Sequence, residues 1–221
     1  MRTLSASLLA AQKAATNKPY VKVELKQRLG AVTRLKWANL YAGTEELYYH
    51  TAASPGDRSL IRARCTDTSP RKVYRQRVAN PTAQSTFTSW TYVADCSYAG
   101  IALASAGANV VLFWCDTDTK TIKYIESTDY GASWGSAQTL ATRVYGVYHL
   151  AAAMKANGDA MLVFYEFTTA NFYKRTGGSW GSVGSMPDTP YIVSGLAINH
   201  ETEWCLAITG RNASNQRCVW T

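Results

Sequence analysis

Ser127-Thr128-Asp129-Tyr130-Gly131-Ala132-Ser133-Trp134 is the stretch from which the rest of the chain can be read. An Asp carboxylate accepts hydrogen bonds from nearby backbone N–H groups, a glycine two residues later permits positive φ, and a serine hydroxyl at each end adds local bonds. The octapeptide therefore predicts a tight hairpin turn. Trp134 supplies the anchor. An indole buries a large apolar area and has one N–H to satisfy, so a Trp directly after the turn is expected to pin the hairpin between neighbouring sheets. Asp129 is read as a structural residue and not a catalytic one.

The surroundings of this turn recur. Ser-Trp stands at Ser89-Trp90, Ser133-Trp134 and Ser179-Trp180, and the last two are each followed by Gly-Ser. Gly177-Gly178-Ser179-Trp180 keeps the glycine and tryptophan but lacks the aspartate, while Ser85-Thr86-Phe87-Thr88-Ser89-Trp90 lacks both aspartate and glycine. Trp90, Gly177 and Trp180 thus mark degenerate copies. Upstream of each, apolar runs at 60–65, 110–115, 161–167 and 204–208 read as strands, each preceded by a turn such as Ser54-Pro55-Gly56-Asp57 or Ala156-Asn157-Gly158-Asp159. Before those turns come runs of small apolar residues, as at 101–104 and 150–154, suited to crowded inner strands. Alternating segments at 73–78, 122–127, 172–176 and 217–220 read as third strands.

A spacing of roughly 40–50 residues per unit of four short strands is the signature of a β-propeller blade. The octapeptide resembles, position for position, the Asp box (S/T-x-D-x-G-x-x-W) of sialidase-like β-propellers, with Ser127, Asp129, Gly131 and Trp134 at its defining positions. The resemblance implies an all-β, sialidase-like propeller in which the box joins the third and fourth strands of a blade, far from the central pocket. Blade units are expected at 41–95, 96–145, 146–190 and 191–221, the last incomplete, within a propeller domain at 20–221 that follows an N-terminal extension at 1–19. Sialidases of this family close six blades, so the chain reads as a partial propeller. Either the chain is a fragment, or its N-terminal segment and a partner, a second copy or a larger assembly, complete the structure, since open sheets invite pairing. Tyr20-Val21-Lys22-Val23-Glu24-Leu25 and Val32-Thr33-Arg34-Leu35-Lys36-Trp37 alternate like half-exposed strands, and either one is a candidate outer strand for the last unit.

The chain carries a net charge of +8, but unevenly. Residues 1–78 hold 15 Lys and Arg against 5 Asp and Glu, a net of +10, whereas 79–221 hold 8 against 10, a net of −2. Arg62, Arg64, Arg75 and Arg77 alternate along two predicted adjacent strands and form a candidate patch for an anionic partner such as an acidic polysaccharide. The competing reading is a solvated outer face. No nucleic-acid signature accompanies the patch, and no apolar run is long enough to span a bilayer.

Cys65, Cys96, Cys115, Cys205 and Cys218 are odd in number, with no C-x-x-C pair and no neighbouring His. They read as buried thiols filling space in a chain made in a reducing compartment, not as a zinc site or disulfide framework. No phosphate loop or metal spacing appears, so neither a cofactor nor a metal is expected. His50 and His149 fall near the starts of equivalent first strands, where pocket-facing residues belong, although a structural histidine is the plainer reading.

The sialidase resemblance implies a tyrosine nucleophile with a glutamate base and an arginine triad gripping a carboxylate. The Phe/Tyr-Arg-Ile-Pro signature that carries the first arginine is absent. Beyond the first unit only Arg143, Arg175, Arg211 and Arg217 remain as later arginines. Tyr165-Glu166 are adjacent, so on a strand they point to opposite faces.

A second resemblance covers about 25 residues. Leu4-Ser5-Ala6-Ser7-Leu8-Leu9-Ala10-Ala11-Gln12-Lys13, at partly helical spacing, and the following Pro19-Tyr20-Val21-Lys22-Val23-Glu24 look like the opening of phage and prophage tail-associated proteins. It implies a virion or cell-surface location, with the cytoplasm as the alternative; the apolar opening is a poor secretory signal. The expectation is a non-catalytic module of a viral tail or cell surface that recognises a glycan or a protein. A truncated or degenerate sialidase-like glycoside hydrolase is the alternative.

Overall fold

Why the chain builds sheets with two buried faces is visible in β8 (Asn109–Cys115) and β12 (Ala160–Glu166). Both are near-continuous apolar runs, Val-Val-Leu-Phe-Trp-Cys and Ala-Met-Leu-Val-Phe-Tyr, and almost every residue in them is buried. An unbroken apolar strand has no solvated side, so it must be covered on both faces.

The computed structural model describes residues 22–24, 37–39, 47–53, 55–66, 69–79, 81, 89–97, 100–166, 169–186, 192–200, 204–211 and 217–220, with side chains described within 53–186 and at Ile198 and Trp204. The expected N-terminal extension at 1–19 lies outside the described residues. The chain divides into two compact units, one of residues 1–45 with 81–86 and one of residues 46–80 with 87–221. In the first, β1 (Lys22–Glu24) pairs antiparallel with β2 (Trp37–Asn39).

The second unit holds four antiparallel sheets, each a meander whose strands pair in chain order. The first comprises β3 (Leu47–Ala53), β4 (Leu60–Thr66), β5 (Arg71–Val78) and β6 (Thr91–Cys96), and the second β7 (Ile101–Ala106), β8, β9 (Thr121–Ser127) and β10 (Gln138–Thr142). The third comprises β11 (Val147–Met154), β12, β13 (Thr169–Thr176) and β14 (Ser179–Met186), and the fourth β15 (Ile192–His200), β16 (Trp204–Arg211) and β17 (Arg217–Trp220). The leading strand β7 lies beside β3 and β11, and β11 beside β15, so the sheets are arrayed blade by blade with their first strands inward.

Residue parity along β8 divides the core. Val110, Leu112 and Trp114 join Ile61, Ala63, Cys65 and Val73 between the first and second sheets. Val111, Phe113 and Cys115 join Leu162 and Phe164 between the second and third. Met161, Val163 and Tyr165 turn to the other face of the third sheet, where Ile198 and Trp204 pack on them. Full burial of each such side chain stabilises the fold by about 1.5–3 kcal/mol.

Two expectations need correction or completion. Of the alternating segments at 20–25 and 32–37, the candidate outer strands for the last unit, only 22–24 and Trp37 are described, and the rest of both lies outside the described residues. Among the described residues the fourth sheet ends at β17. Of the cysteines, Cys65, Cys96 and Cys115 are buried thiols; the side chains of Cys205 and Cys218 lie outside the described residues.

Candidate functional site

The blades present two ends, one carrying the loops after first and third strands, the other the loops after second and fourth. The octapeptide turn lies at the former, between β9 and β10. Asp129 is its centre. Its carboxylate accepts the Ser133 N–H at 2.9 and 3.0 Å, the Ser133 hydroxyl at 2.5 Å and the Ser127 hydroxyl at 2.8 Å. The Ser127 oxygen in turn accepts the Gly131 N–H at 2.8 Å. Tyr130 and Gly131 take φ of 60° and 76°. The Trp134 indole N–H donates to the Gly131 carbonyl at 3.0 Å, and its ring packs on the core between the first and second sheets with the Arg75 guanidinium 5.0 Å from its centroid.

These bonds favour the ionised carboxylate. The Ser133 hydroxyl, the Ser133 N–H and the Ser127 hydroxyl together lower the Asp129 pKa to about 2. A depressed acid contributes stability that is complete above its unfolded value, near 3.8, and is lost as pH falls through about 2. Asp129→Asn is therefore expected to remove part of the loss of stability on acidification from pH 4 to 2, read as a flatter midpoint-versus-pH profile in urea titrations.

The degenerate copies differ in instructive ways. Gly177 and Gly178, at φ 58° and 88°, form a two-residue turn between Thr176 and Ser179, the geometry of a type I′ hairpin. Two glycines thus replace the aspartate-locked turn. Trp180 still reaches the preceding sheet, meeting Phe113 edge-on at 5.3 Å and Tyr124 at 5.9 Å, and its N–H donates to Glu126 at 3.4 Å. Trp90 lies against Arg62 and Arg64, with guanidinium carbons 4.9 and 4.5 Å from its ring centroids.

The four arginines expected to lie together do not. Arg62 pairs across β5 with Gln76 and Arg64 with Tyr74, whereas Arg75 pairs with Ala63 and Arg77 with Ile61. Side chains alternate faces along a strand, so this register places Arg62 and Arg64 on one face and Arg75 and Arg77 on the other. Arg62 is buried and donates to Gln76 at 2.8 Å; burial, then the Arg64 charge, lowers its pKa to about 10. Arg77 binds Asp57 at 2.7 Å and the Tyr130 carbonyl at 2.8 Å. Arg75 and Arg77 thus join the first sheet to the Asp129 turn of the second.

At the opposite end a second polar cluster forms. Arg143, in the β10–β11 connection, donates to buried Glu166 at 2.8 Å through Nε, and another of its nitrogens lies 2.7 Å from the same carboxylate. It also reaches Asn171 at 3.3 Å and lies over Phe164 at 5.5 Å. The other Glu166 oxygen accepts the Tyr145 N–H at 3.0 Å. The connection is fixed to the neighbouring loop as well, since the Arg143 and Val147 N–H groups donate to the Lys120 and Thr119 carbonyls at 3.0 and 2.7 Å. On this braced loop Val144 and Tyr145 stand 74% and 56% exposed, and Tyr148, at the start of β11, 37%. β11 then bulges at His149, whose φ is 50°, the kind of irregularity that re-aims side chains beside binding sites.

Sequence reading noticed Arg143 and Glu166 singly and missed Tyr145 and Tyr148. The available signal was two tyrosines flanking Gly146 between strand segments. Of the four later arginines, Arg143 pairs with Glu166 and Arg175 with Glu126 at 3.2 Å. Arg175 also donates to the Gly158 carbonyl at 3.2 Å, at the turn end of the blades, so these two do not converge. The side chains of Arg211, Arg217 and His50 lie outside the described residues. Tyr165 and Glu166 turn to opposite faces: Tyr165 packs toward the fourth sheet and Glu166 binds Arg143. Among the described residues no group of acidic, His and Cys side chains is placed to hold a metal, and no helix is long and apolar enough to cross a membrane.

No protein-family model and no curated protein sequence matches the chain. Solved structures do. A mutant NanB sialidase from Streptococcus pneumoniae is similar at 14% identity and TM-score 0.58, over 90% of this chain and 34% of that one. The fucose-specific lectin from Aleuria aurantia is similar at 14% identity and TM-score 0.55, over 78% and 55%. A Dyadobacter fermentans protein of unknown function is similar at 10% identity and TM-score 0.62, over 94% and 70%. The chain therefore spans about a third of that sialidase and about half of that lectin. At such identities the likeness concerns architecture, and the architecture is that of the sialidase-like and lectin β-propellers, here as four blade-like sheets.

Proposed function

We propose that this chain is a non-catalytic glycan-recognition module whose ligand lies on the loop end of the second and third sheets. The observation that carries the reading is the pair Tyr145, on the β10–β11 connection braced by Arg143, Glu166 and Asn171, and Tyr148, at the start of β11, both exposed. Sugar sites need apolar platforms with a few fixed polar groups beside them, and rigid aromatics supply contact area at low entropic cost. Here the polar groups are already held by one another, so a ligand would meet a pre-organised surface. A fucose-specific lectin on a similar architecture supports a sugar as the ligand class. Among the described arginines, Arg143 and Arg175 are held at opposite ends of the blades by Glu166 and Glu126, which weighs against a shared grip on a substrate carboxylate.

The resemblance of 4–13 and 19–24 to tail-associated openings supports placing the module on a virion or cell-surface assembly.

The test is a glycan array containing neutral, fucosylated and sialylated sugars and bacterial envelope polysaccharides, at low and high salt. Saturable, salt-resistant binding is expected, weakened at least tenfold by Tyr145→Ala or Tyr148→Ala. Binding to every anionic glycan that disappears in salt would reduce the finding to electrostatics of the basic N-terminal third and overturn the reading. Hydrolysis of a fluorogenic sialoside by the wild type, abolished by Glu166→Gln, would establish the hydrolase alternative instead.

A further inference from the structure

Cys65 and Cys96 are 31 residues apart in sequence, and their Sγ atoms lie 3.1 Å apart. That is about 1 Å beyond a covalent S–S bond. Both belong to the core between the first and second sheets, where Cys65 is fully buried and Cys96 is 5% exposed. Cys65 stands near the end of β4 and Cys96 at the end of β6, opposite Val73 and Arg71 of the intervening β5. The two side chains therefore lean toward each other across β5, at the end of the blade where β4 connects to β5. Cys115, the third described thiol, packs instead between the second and third sheets, with Ser97 as its hydrogen-bond neighbour.

We infer that Cys65 and Cys96 are a disulfide-forming pair that staples the second strand of the first sheet to its fourth when the protein meets an oxidising medium. Closing the remaining gap of about 1 Å between the sulfurs draws the end of β6 toward β4. With oxidised glutathione as the oxidant, a Cys96 or Cys65 thiolate attacks its S–S bond and releases one glutathione thiol. The second protein thiol then displaces the other, so the protein gains one S–S bond and two glutathione thiols carry away the electrons and protons. The contact with Cys65 and burial raise the Cys96 thiol above its ordinary value. Reaction in the folded state is accordingly slow, and the bond forms most readily while the blade assembles.

The experiment uses the full chain, purified reduced, and exposes it to a glutathione redox buffer both folded and during refolding from urea. Remaining thiols are then alkylated in denaturant and the peptides mapped by mass. A Cys65–Cys96 linked peptide, two hydrogen masses below the sum of its parts and cleaved by dithiothreitol, is expected in at least the refolded sample. Alkylation at both positions should fall at least tenfold while Cys115 stays labelled. Cys115→Ser should leave the linkage intact and Cys96→Ala should abolish it. Full alkylation of both residues after both treatments, or linkage of either to a different cysteine, would overturn the inference. None of these outcomes depends on whether the protein binds a sugar.

Discussion

Gly131→Ala is expected to destabilise the propeller unit by about 2–5 kcal/mol, while the same substitution at Gly177 costs only about 1–2 kcal/mol. Two costs meet at Gly131. Its φ of 76° lies in the left-handed region, where an L side chain loses about 1–2 kcal/mol. An added Cβ would also stand 2.3 Å from Ile61 Cδ1 and 3.1 Å from its Cγ1. Ile61 is 1% exposed and sits in the core between two sheets, so it has little room to turn away, and overpacking of this kind costs about 1–3 kcal/mol. At Gly177, φ is 58° but nothing lies within 4 Å of an added Cβ, which leaves the backbone term alone. Urea unfolding of the two variants separates them. Equal losses would mean that the Ile61 contact relaxes freely, and that the turn after β9 is held by its hydrogen bonds rather than by its fit against the neighbouring sheet.

How much of this was legible beforehand depends on how local the signal is. The apolar runs at 110–115 and 161–167 announce β8 and β12, because a strand covered on both faces has to be apolar throughout, and the runs at 60–65 and 204–208 mark β4 and β16. Third strands show as alternation, and the recurrent Ser-Trp gives the period. None of these needs knowledge of a partner strand. The arginine patch did need it. Alternation in β4 and β5 puts Arg62 with Arg64 and Arg75 with Arg77, but only the pairing of Arg62 with Gln76 decides that the two pairs occupy opposite faces. A one-residue shift in that register would have reversed the answer.

The loop-end cluster was hidden for the same reason. Arg143 and Glu166 meet through the pairing of β11 with β12, which brings Val147 opposite Glu166, and neither residue carries a motif. Cys65 and Cys96 lie on different strands with a third between them, so their spacing in sequence says nothing of a sulfur contact. By contrast, the bonds of Asp129 are made within its own octapeptide. That stretch could be understood before any fold was known.

Phe113→Ala is expected to cost about 3–5 kcal/mol, the range for removing a fully enclosed aromatic side chain, and to uncouple the second and third sheets. Phe113 is 0% exposed, with Trp180 edge-on at 5.3 Å and Tyr124 at 6.0 Å. Trp180 belongs to a hairpin that has lost its aspartate, and its contacts with Phe113, Tyr124 and Glu126 give it a reason to persist as the anchor across the sheet boundary. A double-mutant cycle between Phe113→Leu and Trp180→Ala isolates that anchoring, because leucine keeps most of the volume while removing the ring. A coupling of about 0.5–1.5 kcal/mol is expected for such an edge-on pair. The glycine turn would then be free to drift from the Asp-box sequence so long as the indole still reached the preceding sheet. Coupling near zero, with each single variant still destabilising, would assign Trp180 to packing within its own sheet and would remove the argument that Trp134 and Trp180 perform one structural task.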